Sequence, residues 1–519
     1  MKFVIKLFPE ITIKSKPVRQ RLVRQLRQNI SEVLKREYEN VAVQGFWDKV
    51  EVTLKEKKSV QQPDQAQIPQ YPELQNQPTQ TPEALAENRL AKAEQVAATL
   101  QRIPGIANIL RVQNYTIDNI NENFDRIVEL TQQALGDQLV GKSFVVRVKR
   151  VGSHHNFTST ELERYVGGGL LQHNDTNGVN LHTPDVTVKL EIRDAGLYIV
   201  EQRYEGLGGF PLGTQDEVLS LISGGFDSTV ATYLTMKRGL KTHFCFFNLG
   251  GSAHEIGVKQ VSQYIWEKYG ASHRVKFVTV PFEGVVAEIL KTVHHSQMGV
   301  VLKRMMLRAA ETVAKSMKIQ ALVMGDSIAQ VSSQTLTNMC VIDGVTDTLV
   351  LRPLVTMDKL DIIRLSTKIG TEEFAKNMPE YCGVISDKPT TCAKIERILE
   401  EEEKFDFNVL QQALNDRVTV KIDEVLNRIQ TIADVEVVAV PSVDDVIIDI
   451  RHPDECEKTP LKLTNNNIIN IPFYELMMQV DKLTLGQQYL LYCAKGTMSQ
   501  LHASHLVDLG HQNIAVYAP

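Results

Sequence analysis

A short apolar run, Val218 to Ile222, leads directly into Ser223-Gly224-Gly225-Phe226-Asp227-Ser228, and a helical stretch, Thr229 to Lys237, follows. A strand that turns on two glycines into a helix belongs in a parallel sheet with crossover helices, so this run restricts the fold more than any other feature. It also restricts the chemistry. Gly224 and Gly225 let backbone N–H groups approach phosphate oxygens, and the helix start adds roughly half a positive charge. Ser223 and Ser228 can donate hydroxyl bonds, and Asp227 can hold a metal ion or order the loop. The run reads as a nucleotide-pyrophosphate cradle. An ordinary βα connection would use similar residues, so the rest of the chain must decide.

At 519 residues the chain exceeds one core, and a prior of about one domain per 150 residues gives three or four. A formal charge of −5 means that a nucleic acid would have to meet a local basic face rather than bulk charge. No apolar stretch reaches about 18 residues and the N-terminus lacks a signal-peptide core, so a cytoplasmic protein without membrane partners is expected. The six cysteines, Cys245, Cys340, Cys382, Cys392, Cys456 and Cys493, lie far apart, which argues against a secreted disulfide scaffold.

The chain opens on a strand, Lys2 to Leu7, and on a helix whose Val18, Leu22, Leu26, Ile30 and Leu34 recur every four residues. Val50 to Leu54 is a second strand. From Ser59 to Thr81 the composition shifts to Gln and Pro and reads as an insertion or linker. A second unit starts with a helix at Ala84 to Arg102. Its strand Ser143 to Arg150 sets Arg147 and Lys149 on one face and gathers Arg150 beside them, which suits a phosphate backbone or a plain solvent face. Arg164-Tyr165-Val166-Gly167-Gly168-Gly169 reads as a flexible loop able to close on RNA.

From Glu205 to Phe405, apolar strands at Val218 to Ile222, Lys241 to Phe247, His273 to Val280 and Ala321 to Met324 alternate with helices. Binding groups belong at their carboxyl ends. Phe246 and Phe247 end a strand where an adenine could pack. Lys303 and Arg304 could meet phosphates or pair along their own helix. Gly325-Asp326 ends another strand, and the polar run Gln330 to Thr335 after it favours substrate contact. Near the C-terminus, strands at Val446 to Asp449, Asn467 to Pro472 and Gln488 to Tyr492 are expected, the last delivering Cys493 to a loop before a helix. There, backbone N–H groups, the helix end and Lys495 would favour a thiolate or persulfide, with Asp449 and Arg451 bracing the loop.

Several long segments resemble the tRNA uridine 4-sulfurtransferases that also serve thiamine biosynthesis: Lys6 to Lys14, Arg147 to Arg150, Glu163 to Gly169, Ser223 to Ser228, Gln330 to Asn338, Met378 to Ser386, and Leu491 to Gly496. The resemblance covers the chain apart from the Gln/Pro insertion. It implies an α/β multidomain protein: a ferredoxin-like domain at 1–58, the insertion at 59–83 and a THUMP RNA-binding domain at 84–204. A PP-loop doubly wound parallel sheet at 205–405, a helical linker at 406–439 and a rhodanese-like domain at 440–519 would follow.

The same resemblance implies the chemistry. ATP, with Mg2+, adenylates uridine O4 at position 8 of tRNA, Cys493 carries a persulfide, and Cys382 resolves it as a Cys493 disulfide that a thiol reductant reopens. It assigns Asp227 and Lys359 to adenylation and Leu221, Ile222, Ser223, Gly224, Gly225, Ser228, Phe246, Phe247, Lys303, Gly325 and Gln334 to the nucleotide. Arg147, Lys149, Arg150 and Arg164 fall to RNA. Implied partners are tRNA, a cysteine desulfurase, the reductant, the sulfur-carrier protein of thiazole synthesis and a second copy of the chain. No resident metal is expected, and no C-x-x-C pair offers an iron–sulfur cluster. The family's usual Gly-Glu-x-x-Gly-Gln is Gly325-Asp326-Ser327-Ile328-Ala329-Gln330 here, an acid of shorter reach and one glycine fewer. The competing readings are another PP-loop tRNA-modifying enzyme and a sulfur carrier devoted mainly to thiazole assembly.

Overall fold

The computed structural model describes residues 1–54, 82–152, 155–249, 252–376, 378, 388–426, 435–451, 453–463, 465–473, 476, 479, 483, 486–494 and 496–519. It has two compact units, residues 1–215 with 237–239, and residues 216–236 with 240–519.

The first unit carries a seven-stranded sheet. β1 (Lys2–Leu7), β2 (Val41–Gly45), β3 (Lys49–Leu54) and β4 (Ile106–Thr116) pair antiparallel in the order β2-β3-β1-β4. With the helices Lys16–Glu37 and Pro82–Leu100 they make a β-α-β-β-α-β, ferredoxin-like arrangement. That arrangement runs to Thr116 instead of stopping at residue 58. The helix expected to begin the next unit packs Val96, Ala97 and Leu100 into one core with Leu22, Leu26 and Ile30. The Gln/Pro stretch therefore joins two elements of one domain, β3 and the helix Pro82–Leu100, and residues 55–81 lie outside the described residues.

β5 (Phe144–Val151), β6 (Val186–Arg193) and β7 (Gly196–Gly208) continue the sheet as β4-β7-β6-β5. The helices Phe124–Leu139 and Ser159–His173 bury Ile127, Leu162 and Val166 against Val146, Leu190 and Ile199. Lys6 pairs with Glu191 at 2.8 Å and Arg193 with Asp48 at 2.7 Å, tying the first strands to the last.

In the second unit, β8 (Glu217–Leu221), β9 (Lys241–Asn248), β10 (Lys276–Pro281), β11 (Ala321–Val323), β12 (Leu349–Leu351) and β13 (Val418–Lys421) form a sheet ordered β12-β11-β8-β9-β10-β13. Its strands are parallel except β13, which runs antiparallel to β10. β9 is buried from Thr242 to Phe247, as befits a strand covered on both faces. Strand order reverses between β8 and β11, which opens the crevice where such sheets bind ligands. The stretch 406–439, expected as a helical linker, instead gives this unit the helix Phe407–Asn415 and the edge strand β13; its residues 427–434 lie outside the described residues.

A second parallel sheet closes the chain: β14 (Val437–Val438), β15 (Val446–Asp449), β16 (Asn467–Asn470), β17 (Tyr489–Tyr492) and β18 (Ile514–Tyr517), in the order β14-β18-β17-β15-β16. Its helix Thr497–Asp508 buries Ala503 and Leu506, and its buried His502 accepts a 2.8 Å bond from Gln260 of the helix Ser252–Ile265.

Candidate nucleotide and sulfur sites

The glycine run occupies the turn from β8 into the helix Phe226–Lys237, at the strand-order reversal. Gly224 has φ +82°, and a Cβ there would strike Met378 and stand 3.1 Å from Val258, so both conformation and space demand glycine. Above Gly225 a Cβ would meet, among the described residues, only Ser223 Oγ, at 3.8 Å, so a ligand could approach the backbone there. Ser228 Oγ accepts from Ser223 N at 3.1 Å and folds the loop on itself. The N–H groups of Gly224, Gly225, Phe226 and Asp227 find no acceptor among the described residues, the condition of an anion cradle. Gly325 crosses so close that a Cβ would stand 2.7 Å from the Asp227 carbonyl carbon and from Ser228 N.

Two charged arms flank the loop. In the first, Lys359 Nζ lies 3.0 Å from both oxygens of Asp227, and Gln330 Nε2 donates to Asp227 Oδ2 at 2.8 Å. Both Asp227 oxygens are thus engaged by side chains from outside the loop. In the second, buried Asp326 receives Lys303 Nζ at 2.8 Å, Arg352 Nε at 3.0 Å and Gln334 Nε2 at 3.2 Å. Burial alone would raise the Asp326 carboxyl, but the Lys303 and Arg352 cations hold it below the ordinary value. The shorter aspartate therefore stays ionised and fully bonded. Ala329, where the family has glycine, keeps a left-handed backbone at φ +63°, and its N–H donates to Gln334 O at 3.0 Å.

Other residues fall differently from expectation. Arg304 is buried, with Nε 2.6 Å from Glu402 Oε1 and Nη2 3.0 Å from Oε2, so it meets a carboxylate of the helix Ile395–Glu403 and not a phosphate. The Phe246 and Phe247 side chains belong to the core, against the rings of His254 and Phe282, so neither ring stands open to stack on an adenine. Ile222 is buried with its N–H on Cys245 O, while Leu221 is half-buried. Sequence reasoning missed Arg352 and His254. Arg352 follows a strand of three residues, too short to show periodicity, and also grips Asp343 at 2.6 Å. His254, its pKa lowered by burial, donates through Nε2 to Ser223 O at 3.0 Å and steadies the loop as a neutral ring.

Cys493 is buried at the carboxyl end of β17. Ser499 N–H points at its Sγ from 3.3 Å and Ser499 Oγ lies at 3.5 Å, while Gly496 turns the loop at φ +72°. Asp449 and Arg451 form a buried two-point pair at 2.6 and 2.9 Å, and Arg451 also donates to Thr459 O at 3.0 Å and lies over the Tyr492 ring. Cys382 and Lys495 lie outside the described residues. Burial pushes the Cys245 thiol up to about 12.

On the first unit, β5 exposes Arg147 and Lys149 on one face, as its alternation requires. Arg150 instead turns inward to Phe157 O and Ser159 Oγ. Arg164 is exposed, but the segment Arg164 to Gly169 is no loop: it lies inside the helix Ser159–His173. Gly169 is small because a Cβ would stand 2.5 Å from Val128 of the neighbouring helix. Among the described residues no group of three metal-ligating side chains occurs, and no helix is long and apolar enough to cross a membrane.

Comparison with known proteins agrees with this geometry. Residues 213–407 match the family model of the thiamine biosynthesis protein ThiI, and residues 121–200 match the THUMP domain. Curated proteins described as tRNA sulfurtransferase from Marinobacter nauticus and Saccharophagus degradans are each 49% identical over 519 residues, covering 100% of both chains. Among solved structures, a 4-thiouridine synthetase in complex with RNA and bound ATP superposes with a TM-score of 0.65 at 22% identity, over 81% of this chain and 99% of that one. That likeness concerns the fold.

Proposed function

The chain belongs to the tRNA sulfurtransferases, and from that premise we propose that it uses ATP to replace O4 of a tRNA uridine, at position 8, with sulfur. The observation that carries this reading is the glycine loop whose four successive N–H groups lack acceptors among the described residues, flanked by Lys359–Asp227 on one side and Lys303–Asp326 on the other. The donor set suits a triphosphate, and the buried Gln334 Oε1, without a donor among the described residues, suits an adenine amine or ribose hydroxyl.

ATP supplies an AMP group that turns uridine O4 into a leaving group. The loop N–H groups and Lys303 hold phosphate charge, and Lys359, fixed on Asp227, faces the reacting end. In the C-terminal sheet, the Ser499 N–H steadies negative charge on Cys493 sulfur, the state a persulfide needs. The terminal sulfur forms a bond to C4 as AMP leaves. The Cys382 thiolate then attacks the inner sulfur, breaking the S–S bond so that the terminal sulfur stays on the base. Two electrons from an external thiol reopen the resulting disulfide. The five-stranded parallel order with a cysteine at a strand's carboxyl end supports a rhodanese-like reading of residues 440–519.

Unmodified tRNA, ATP, cysteine and a cysteine desulfurase provide the test. Asp227→Ala is expected to abolish AMP formation, whereas Cys382→Ala is expected to keep it and lose 4-thiouridine; AMP release from Asp227→Ala at the wild-type rate would refute the loop assignment. The match to a thiamine biosynthesis family favours a second role, sulfur delivery for thiazole. It is checked by asking whether the segment from residue 440 onward restores thiamine synthesis alone.

A further inference from the structure

Two cations share the buried carboxylate of Asp326, and they divide its oxygens between them. Oδ1 accepts from Lys303 Nζ at 2.8 Å and from Gln334 Nε2 at 3.2 Å, while Oδ2 accepts from Arg352 Nε at 3.0 Å. Among the described residues Lys303 Nζ has no other acceptor, so its remaining protons are left to meet a ligand. Arg352 is gripped from its far side. Its Nη1 and Nη2 donate to the two oxygens of Asp343 at 2.7 and 2.6 Å, a fork that turns Nε toward Asp326. Asp343 ends the helix Leu336–Asp343, which starts two residues after Gln334. One short stretch of chain therefore reaches both oxygens of Asp326, directly through Gln334 and indirectly through Arg352.

A lysine paired alone with a buried aspartate presents no net charge to a phosphate. With Arg352 added, the three groups together carry a net positive charge, and the partly exposed Asp343 is screened by water. Geometry acts in the same direction. Held at Oδ2 by Arg352, Asp326 grips Lys303 through one oxygen only. Released at Oδ2, the buried carboxylate would turn both oxygens on Lys303, its one remaining cation, and draw the ammonium off a ligand. We propose that Arg352 is the positioning residue of the nucleotide site: it neutralises Asp326 and occupies Oδ2, so that Lys303 keeps its charge and its open protons for an ATP phosphate. Arg352 acts through Asp326 and needs no contact with the nucleotide. The inference rests on the reading above in which Lys303 meets phosphate.

The full-length protein is assayed for pyrophosphate release from ATP with unmodified tRNA, in wild type, Arg352→Met, Asp326→Asn and the double variant. Arg352→Met is expected to raise the ATP KM by roughly 10–100-fold, the effect of losing one charge-assisted bond, with kcat unchanged within about twofold. In the Asp326→Asn background the same substitution is expected to move KM by less than about threefold, because the carboxylate that would capture Lys303 is gone. An arginine that only holds the fold together would act alike in both backgrounds. Equal effects in the two therefore overturn the proposal, as does a wild-type KM in Arg352→Met. If Arg352→Met is insoluble, the Asp326→Asn pair decides alone: adding Arg352→Met must leave KM within about threefold, and a larger rise overturns the proposal. A wild-type KM in Lys303→Met would instead strike the phosphate contact, and a wild type that releases no pyrophosphate would strike the adenylating reading, two results distinct from these.

Discussion

Ala329 holds a backbone conformation that L side chains adopt at a cost of roughly 1–2 kcal/mol, in the motif where the family carries glycine. Ala329→Gly is expected to recover about 1 kcal/mol of stability in urea unfolding, after the looser unfolded chain takes its share. No gain would mean that the turn is relaxed by its neighbours. Gly325 is the opposite case. Any Cβ there would press within 2.7 Å of the Asp227–Ser228 peptide, so Gly325→Ala is expected to cut AMP formation by at least about tenfold while the protein stays folded, read by circular dichroism alongside the assay.

At the scale of elements, β9 contains a titratable group that couples the sheet to pH. His243 Nδ1 accepts from Lys276 N and Nε2 donates to Glu217, which fixes a neutral ring; burial, opposed by Glu217, lowers its pKa from 6.5 to about 4. The unfolded chain therefore binds the proton first as pH falls. Stability from this group is complete above pH 6.5 and declines by about 1.4 kcal/mol per pH unit toward pH 4. His243→Asn is expected to flatten the difference between urea midpoints at pH 7.5 and 5; an unchanged difference would refute the assignment.

The element scale also shows what periodicity can and cannot disclose. β8 and β9 were legible as continuous apolar runs, and the alternation of β5 placed Arg147 and Lys149 on the exposed face. β11, β12 and β14 span only two or three residues, and β12 and β14 gave no repeating signal. Gly167 to Gly169 reads as a loop because glycine weakens helices in isolation, yet at Gly169 close packing against Val128 leaves no room for a Cβ. The site's loop was legible because its chemistry is local; the Asp326–Arg352 and Asp227–Gln330 contacts join positions 26 and 103 residues apart, which no local pattern reports.

For the whole molecule, binding and chemistry rest on residues of different kinds. Arg147 and Lys149 offer charge without bases, so Arg147→Ala with Lys149→Ala is expected to weaken tRNA binding across sequences and to lower the salt dependence by about two phosphate contacts, measured by filter binding at several salt concentrations. In the proposed relay, sulfur passes through one buried sulfur, Cys493, at the end of β17. The most direct test loads the protein with labelled sulfur from cysteine and a desulfurase, adds ATP and unmodified tRNA, and follows AMP, protein-bound sulfur and 4-thiouridine for wild type and Cys493→Ser. The expected result is AMP release by both, with labelled persulfide and 4-thiouridine only in the wild type. Full thiolation by Cys493→Ser would contradict the sulfur relay.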